Sequence, residues 1–353
     1  MGIGQECLAS ERWTRRAALT WTLGLVGAGA WLGRKSPSAH AGQAPFRLGT
    51  IAITWYPIFL YHLPVSVARE QGFFEANGVQ VDDIVGARGG GETIRTITSG
   101  GLLLGEAAAA AAVLSIIRSR EPFVIVGGGT KAPSDVFWVT LPDSPVRTIQ
   151  DLRGRRVGYT SPGSVTEQTA ILSLKRAGID PQEVRLVAAG GIAEGLALLR
   201  RRELDAAAML GPTYVTTTME TRIVFHASDY VPNYFQTLIL ARRSLVQEHP
   251  DVVRGFLKAR RQGYERMLQD VPAAARLYAR LNRMAEGAAL QAIRIAGVDR
   301  AVYHSDGRLV REGLLMAEEG MRIAGDMGPN DRIPWREIVD QSFLDPDQRI
   351  ELP

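Results

Sequence analysis

Two short turns in this 353-residue chain combine residue types suited to holding a small molecule. The first is Arg88-Gly89-Gly90-Gly91. Glycines let a ligand come close to the backbone, and a guanidinium can pair with an anionic group. The second is Thr160-Ser161-Pro162-Gly163-Ser164-Val165-Thr166, dense in hydroxyls. If each turn opens a helix, Gly90, Gly91, Thr160, Ser161, Ser164 and Thr166 lie at helix N-termini, where free N–H groups and the helix dipole favour anions. Plainer roles stand beside these. Ser164 and Glu167 have the S-x-x-E spacing of a capping box, and Arg88 reads equally as a solvated side chain on a flexible turn. Trp55 and Tyr56 form an aromatic pair able to stack on a ring or cover an alkyl chain, or else to pack under the next helix. Tyr159, Tyr214 and Tyr234 are further aromatic candidates, while Asp205 reads as a local cap or ion-pair partner.

The residues for chemistry proper are scarce. The five histidines, His40, His62, His226, His249 and His304, show neither H-E-x-x-H nor triad-like spacing, and His62 reads as structural. The single cysteine, Cys7, precedes an apolar stretch, so the body of the chain offers no disulfide, thiolate nucleophile or zinc thiolate. Gly127-Gly128-Gly129-Thr130-Lys131 lacks the spacing of a phosphate loop and reads as hinge freedom instead. The expectation is a binding protein, not an enzyme, with no metal and no cofactor.

The elements that would position these turns alternate. Strand-like runs at 47–53, 79–85, 102–104 and 123–126 are separated by helical runs at 64–76, 92–99 and 108–119. The order then restarts, with strands at 155–159, 184–188 and 204–210 and a helix at 164–177. Such β-α-β order predicts mostly parallel, doubly wound sheets, and 353 residues exceed one core, so two α/β lobes are expected. Segments 136–140 and 235–241 read as crossings between lobes. Beyond residue 242 the apolar periodicity is helical, and these helices are expected to pack back on the first lobe.

The N-terminus reads as an address. Arg12, Arg15 and Arg16 precede an apolar run over 17–31, and Ala39-His40-Ala41 has the small residues of a cleavage site. Residues 1–41 are therefore expected to be a signal peptide, of twin-arginine or Sec type. They hold five basic and two acidic residues; removing them from the 41 basic and 37 acidic of the whole chain leaves 36 against 35. A body with net charge +1 does not carry the footprint of a nucleic-acid binder.

Several phrases together resemble a family. These are Trp55-Tyr56-Pro57, residues 68–79 (AREQGFFEANGV), Gly89-Gly90-Gly91, residues 151–158 (DLRGRRVG), Ser161-Pro162-Gly163-Ser164 and Glu203-Leu204-Asp205-Ala206. Across roughly 46–270 the chain is similar to the nitrate/sulfonate/taurine-type periplasmic substrate-binding proteins of ABC importers, which overlap the binding proteins for thiamine pyrimidine precursors. The resemblance implies the two-lobed type II periplasmic-binding fold, with two crossing strands as hinge. Its boundaries here would be 42–135 for the first part of lobe one, 136–240 for lobe two, and 241–353 for the return and C-terminal helices. It also implies a monomer that works with a permease and an ATPase on separate chains, in the periplasm. The chain departs from the family at Leu103-Leu104-Gly105-Glu106 and six following alanines, where members carry a polar residue; one cleft wall is expected to be smooth. The leading expectation for the ligand is a small organic anion, sulfonate or carboxylate, and the alternative is a pyrimidine-like heterocycle. A pyrimidine synthase of related fold is the enzymatic alternative, but the cysteine cluster of that enzyme has no counterpart here. A sensor partner in place of a permease is the third reading.

Overall fold

The computed structural model describes residues 44–217, 220–298 and 305–353; the expected signal peptide and His304 lie outside them. The first lobe begins β1 (Phe46–Thr54), α1 (Leu63–Glu70), α2 (Phe73–Ala76), β2 (Val79–Ala87), α3 (Gly90–Ser99), β3 (Leu104–Ala108), α4 (Ala109–Ser119) and β4 (Phe123–Gly128). The second lobe comprises β5 (Val136–Thr140), β6 (Arg156–Tyr159), α5 (Val165–Arg176), β7 (Arg185–Ala188), α6 (Ile192–Arg200), β8 (Ala206–Leu210), α7 (Gly211–Thr216) and β9 (Arg222–His226). The chain then returns through β10 (Thr237–Arg242) to α8 (Arg243–Glu248), α9 (Pro250–Gln269), α10 (Val271–Asn282), α11 (Glu286–Ile295) and α12 (Arg311–Ile323).

Two five-stranded sheets result, ordered β2-β1-β3-β10-β4 and β7-β6-β8-β5-β9. Within each, three strands run parallel: β1 with β2 and β3, and β6 with β7 and β8. The segments expected to cross between lobes prove to be full strands. β5 lies antiparallel between β8 and β9, and β10 antiparallel between β3 and β4. The crossing itself falls just outside them, over 129–135 and 227–236, where Gln236 N–H donates to the Thr130 carbonyl at 2.8 Å. Each antiparallel strand thus anchors one end of the hinge in the opposite sheet.

Local chemistry explains several boundaries. The helical run expected at 64–76 breaks in two because Gly72 takes φ 69°, a left-handed turn that glycine adopts without Cβ strain. The alanine run divides: Ala107 and Ala108 finish β3, and Ala109 opens α4. Pro250 starts α9, where its missing N–H is no loss. Gly127, Gly128 and Gly129 are buried and tightly packed, not hinge-like. A Cβ on Gly128 would lie 2.3 Å from the Arg308 carbonyl oxygen, and one on Gly129 2.2 Å from Thr237 Oγ1.

Both lobes have dense cores. In the second, Trp138 is fully buried, stacks on Phe225 at 4.7 Å and donates its Nε1–H to the Gly158 carbonyl. In the first, α9 packs against α1 and α2, and Phe74 stacks on Phe256 at 5.2 Å. The later helices do not all return to the first lobe. α11 packs on α7 of the second lobe, and α12 packs on both α4 and α5, with Glu319 paired to Lys175 and Arg176.

Candidate functional site

The carboxyl ends of β1 and β6 point toward a common cleft between the lobes, the usual ligand position beyond the strands of open α/β sheets. The cleft is narrow in this structure, with about 20 Å³ of free space between its walls. The first lobe lines it with Thr54 at the end of β1, the aromatic series Trp55, Phe59 and Tyr61, Gly89 and Gly90 at the start of α3, and Ala108. The second lobe contributes Thr160, Ser164, Val165 and Thr166 at the start of α5, and Leu210 at the end of β8. No charged side chain among the described residues lines it.

The aromatic wall is built with strain. Trp55 holds φ 60°, a left-handed conformation costing a bulky residue on the order of 1–3 kcal/mol and one that clusters at ligand sites. The turn is over-determined: Trp55 N–H donates to the Ala87 carbonyl, and the Trp55 carbonyl accepts from Ile58 and Phe59 N–H. Trp55 then meets Phe59 at 5.0 Å, and Phe59 meets Tyr61 edge-on at 6.0 Å. Behind this turn His62 is fully buried, placed 2.8 Å from the Pro57 carbonyl through Nε2 and 2.7 Å from Ser66 Oγ through Nδ1. Burial drives its pKa down to about 4, so it is a neutral strut.

The aromatic wall connects to the hinge. Tyr61 donates its hydroxyl to Gln236 Oε1 at 2.9 Å, and Gln236 Nε2 donates to Asp135 Oδ1 at 3.0 Å. Asp135 is fully buried at the first crossing, and its Oδ2 has no hydrogen-bond partner. Desolvation raises its pKa to about 6, against the opposing hydrogen bond from Gln236.

The hydroxyl wall is a network. Thr160 N–H donates to Thr166 Oγ1 at 2.9 Å, and Thr166 Oγ1 lies 2.8 Å from Thr160 Oγ1 and 3.0 Å from Ser164 Oγ. Ser164 caps α5 by accepting from Glu167 N–H at 3.2 Å. The reciprocal half of the expected capping box is displaced by one residue, because Glu167 accepts from Gly163 N–H rather than from Ser164. Burial raises the Glu167 pKa, offset by that N–H and by the Tyr159 hydroxyl. Ser164 therefore both caps the helix and faces the cleft.

The structure brings Trp55, Gly90, Thr160, Ser164 and Thr166 together at this cleft. Ser161 adjoins it: its Oγ lies 3.3 Å from where a Cβ on Gly89 would stand, so the two turns meet across the lobes. Five other candidates are placed elsewhere. Arg88 is exposed at the bend that follows β2, where its N–H donates to Glu92 Oε2 at 2.9 Å. Gly91 is exposed one residue beyond the buried Gly90. Tyr56 sits behind the turn, edge-on to His62 at 4.9 Å. Tyr214 lies edge-on to Phe137 at 5.3 Å, and Tyr234 is 1% exposed in the core. Thr54, Phe59 and Tyr61 were not singled out in the sequence, although four aromatics over 55–61 were a usable signal. Glu106, expected on the smooth wall, is instead buried against Arg260 at 3.1 Å, 4% and 1% exposed at their side chains.

Among the described residues no His, Cys, Asp and Glu cluster suits a metal ion, and no helix is long and apolar enough to cross a membrane. Two mixed sheets, two crossings and a cleft at the strand ends define the periplasmic-binding fold. The chain belongs to the NMT1/THI5-like family, whose model matches residues 60–275. It is 26% identical over 309 residues to the formylaminopyrimidine-binding protein of Halalkalibacterium halodurans, covering 86% of each chain. In structure it resembles the periplasmic aliphatic sulphonate-binding protein SsuA of Escherichia coli, with TM-score 0.68, 17% identity, and 84% and 93% of the two chains covered. It also resembles a desulfurization enzyme, DszB, solved with biphenyl-2-sulfinic acid, with TM-score 0.60, 17% identity, and 84% and 97% covered. One fold thus serves binding and catalysis, and the cleft must distinguish them.

Proposed function

We propose that the chain is the extracytoplasmic solute-binding component of an ABC importer, and that it captures an uncharged, flat heteroaromatic molecule between its lobes. The observation that carries this reading is the make-up of the cleft: three aromatic rings, four Ser and Thr hydroxyls and no charged side chain. A desolvated anion without a cation is costly, whereas a planar ring gains stacking and edge hydrogen bonds. Membership of the NMT1/THI5-like family and the pyrimidine in the name of one relative support the same class. A pyrimidine-like ring therefore takes precedence over the organic anion that the turns suggested, since Arg88 is exposed and does not line the cleft.

Ligand bridging both walls favours the closed arrangement because it makes more contacts there than in an open one. A permease on a separate chain, with its ATPase, would distinguish the two forms; residues 1–41 would direct export to the periplasm. The same cleft supports binding without catalysis, because it presents no nucleophile with a neighbouring base. A small organic anion is the second reading, favoured by the N-termini of α3 and α5 meeting at the cleft.

A melting-temperature screen against pyrimidines, aromatic sulfonates, carboxylates and nitrate tests both. A ligand at 100 times its Kd adds about 2.7 kcal/mol, a shift of a few degrees. Stabilisation by pyrimidines is the expected result; stabilisation by the anions alone replaces the first reading with the second.

A further inference from the structure

A hinged cleft opens only if every other contact between the lobes slides or parts with it, and one such contact lies outside the cleft. α12 belongs to the first lobe by its flanks. Gly128 N–H at the end of β4 donates to the Gly307 carbonyl, Asp340 N–H donates to the Ile125 carbonyl, and Val339 pairs with Ile125 of β4. Between these anchors α12 lies against α4 of the first lobe and α5 of the second. Asp326, just beyond its end, pairs with Arg118 of α4 at 3.5 Å. Glu319 pairs with Lys175 at 2.7 Å and with Arg176 at 2.9 Å, both on α5. The first turn of α12 rests on the second crossing, where a Cβ on Gly313 would stand 2.6 Å from the Asn233 carbonyl oxygen.

The contact with α5 also carries a cost. Gln168 is 0% exposed, and neither its Oε1 nor its Nε2 has a hydrogen-bond partner among the described residues. Its amide faces α12, because a Cβ on Gly320 would lie 2.1 Å from Oε1. A buried, unpaired amide opposes the arrangement that buries it, and water satisfies both atoms once the helices part. Gln168 belongs to the helix whose first turn lines the cleft. Withdrawing the head of α5 from the cleft as a rigid helix therefore draws its flank off α12.

We infer that α12 is a latch. Carried by the first lobe, it holds the second lobe closed through the ion pairs of Glu319, and the unpaired amide of Gln168 keeps that hold weak enough to release. The ratio of open to closed protein is thus set outside the cleft, and it scales the affinity for every ligand alike, because each ligand shifts the same equilibrium. This rests on the lobe closure proposed above and assigns what governs it.

The test is spin-label distance measurement by double electron–electron resonance on the full chain with no ligand added. Labels go on the exposed positions Arg95→Cys of α3 and Ala197→Cys of α6, with Cys7→Ser removing the native thiol. The parent is expected to show a short and a long distance. Glu319→Lys sets like charges against Lys175 and Arg176 and raises the long-to-short ratio about fivefold. Gln168→Leu, in the parent or added to Glu319→Lys, lowers that ratio about tenfold. Adding Lys175→Glu and Arg176→Glu to Glu319→Lys restores the parent ratio, which separates lost pairing from damage to the fold. Two distances whose ratio Glu319→Lys leaves unmoved, or Gln168→Leu leaves unmoved in both backgrounds, or the charge swap fails to restore, overturn the latch and leave lobe closure standing. One distance in every protein overturns the latch too; if it is the short one, closure falls with it.

Discussion

The two walls of the cleft do different work with different materials. The first lobe supplies area: Trp55, Phe59 and Tyr61 lie in one short segment, held by a strained turn. The second lobe supplies direction: Thr160, Ser164 and Thr166 form a network at the head of α5, with little apolar surface beyond Val165 and Leu210. Stacking area is tolerant of ring identity, whereas a hydrogen-bond pattern is not, because an unmatched buried polar group costs more than a matched one contributes. Affinity should therefore reside mainly in the aromatic wall of the first lobe, and discrimination in the hydroxyls, three of the four on the second lobe.

The largest expected effect concerns the hinge that joins the walls. Asp135 has a folded pKa of about 6 against an ordinary 3.8, because burial penalises its charge. A raised carboxylate pKa contributes stability below pH 3.8 that is lost as pH rises through about 6. Asp135→Asn is thus expected to stabilise the protein at pH 8 by roughly 3 kcal/mol, at 1.36 kcal/mol per pH unit across that window. The gain should vanish below pH 4, and melting curves from pH 4 to 8 measure it. An unchanged pH profile would show that the hinge carries no such cost.

Trp55→Ala comes next. It should weaken all ring ligands alike by roughly 2 kcal/mol, or about thirtyfold, without changing their order. Loss of the order together with affinity would break the division of labour between walls. Ser164→Ala removes the cap of α5 and the head of the hydroxyl series. A stability loss of about 1 kcal/mol is expected, read from the melting temperature. Arg88→Ala should change ring affinity by less than about twofold, since exposed side chains away from such features have little effect. A tenfold loss there would restore the anion reading.

Much of this arrangement was legible before any coordinates. β-α-β order predicted two parallel-rich sheets, and the glycine and hydroxyl turns were located by residue type at strand ends. What remained hidden was direction and partnership. Arg88 and Gly90 belong to one turn, yet the first is exposed at the bend after β2 and close packing buries the second, where a Cβ would lie 2.7 Å from Ala108 and Ala111 Cβ. The buried pairing of Glu106 was equally hidden, because its partner Arg260 lies 154 positions away in sequence.

Local sequence therefore determined the elements and the caps, because propensity, glycine φ and S-x-x-E spacing act over a few residues. It also determined the absence of a thiolate site in the body, since Cys7 is the only cysteine. Only the tertiary structure decided that Trp55, Phe59 and Tyr61 share a cleft with Thr160 and Thr166, that α12 touches both lobes, and that Asp135 is buried at the hinge. These outcomes depend on which surfaces two lobes present to each other, and that is set by long-range packing, not by any stretch of neighbouring residues.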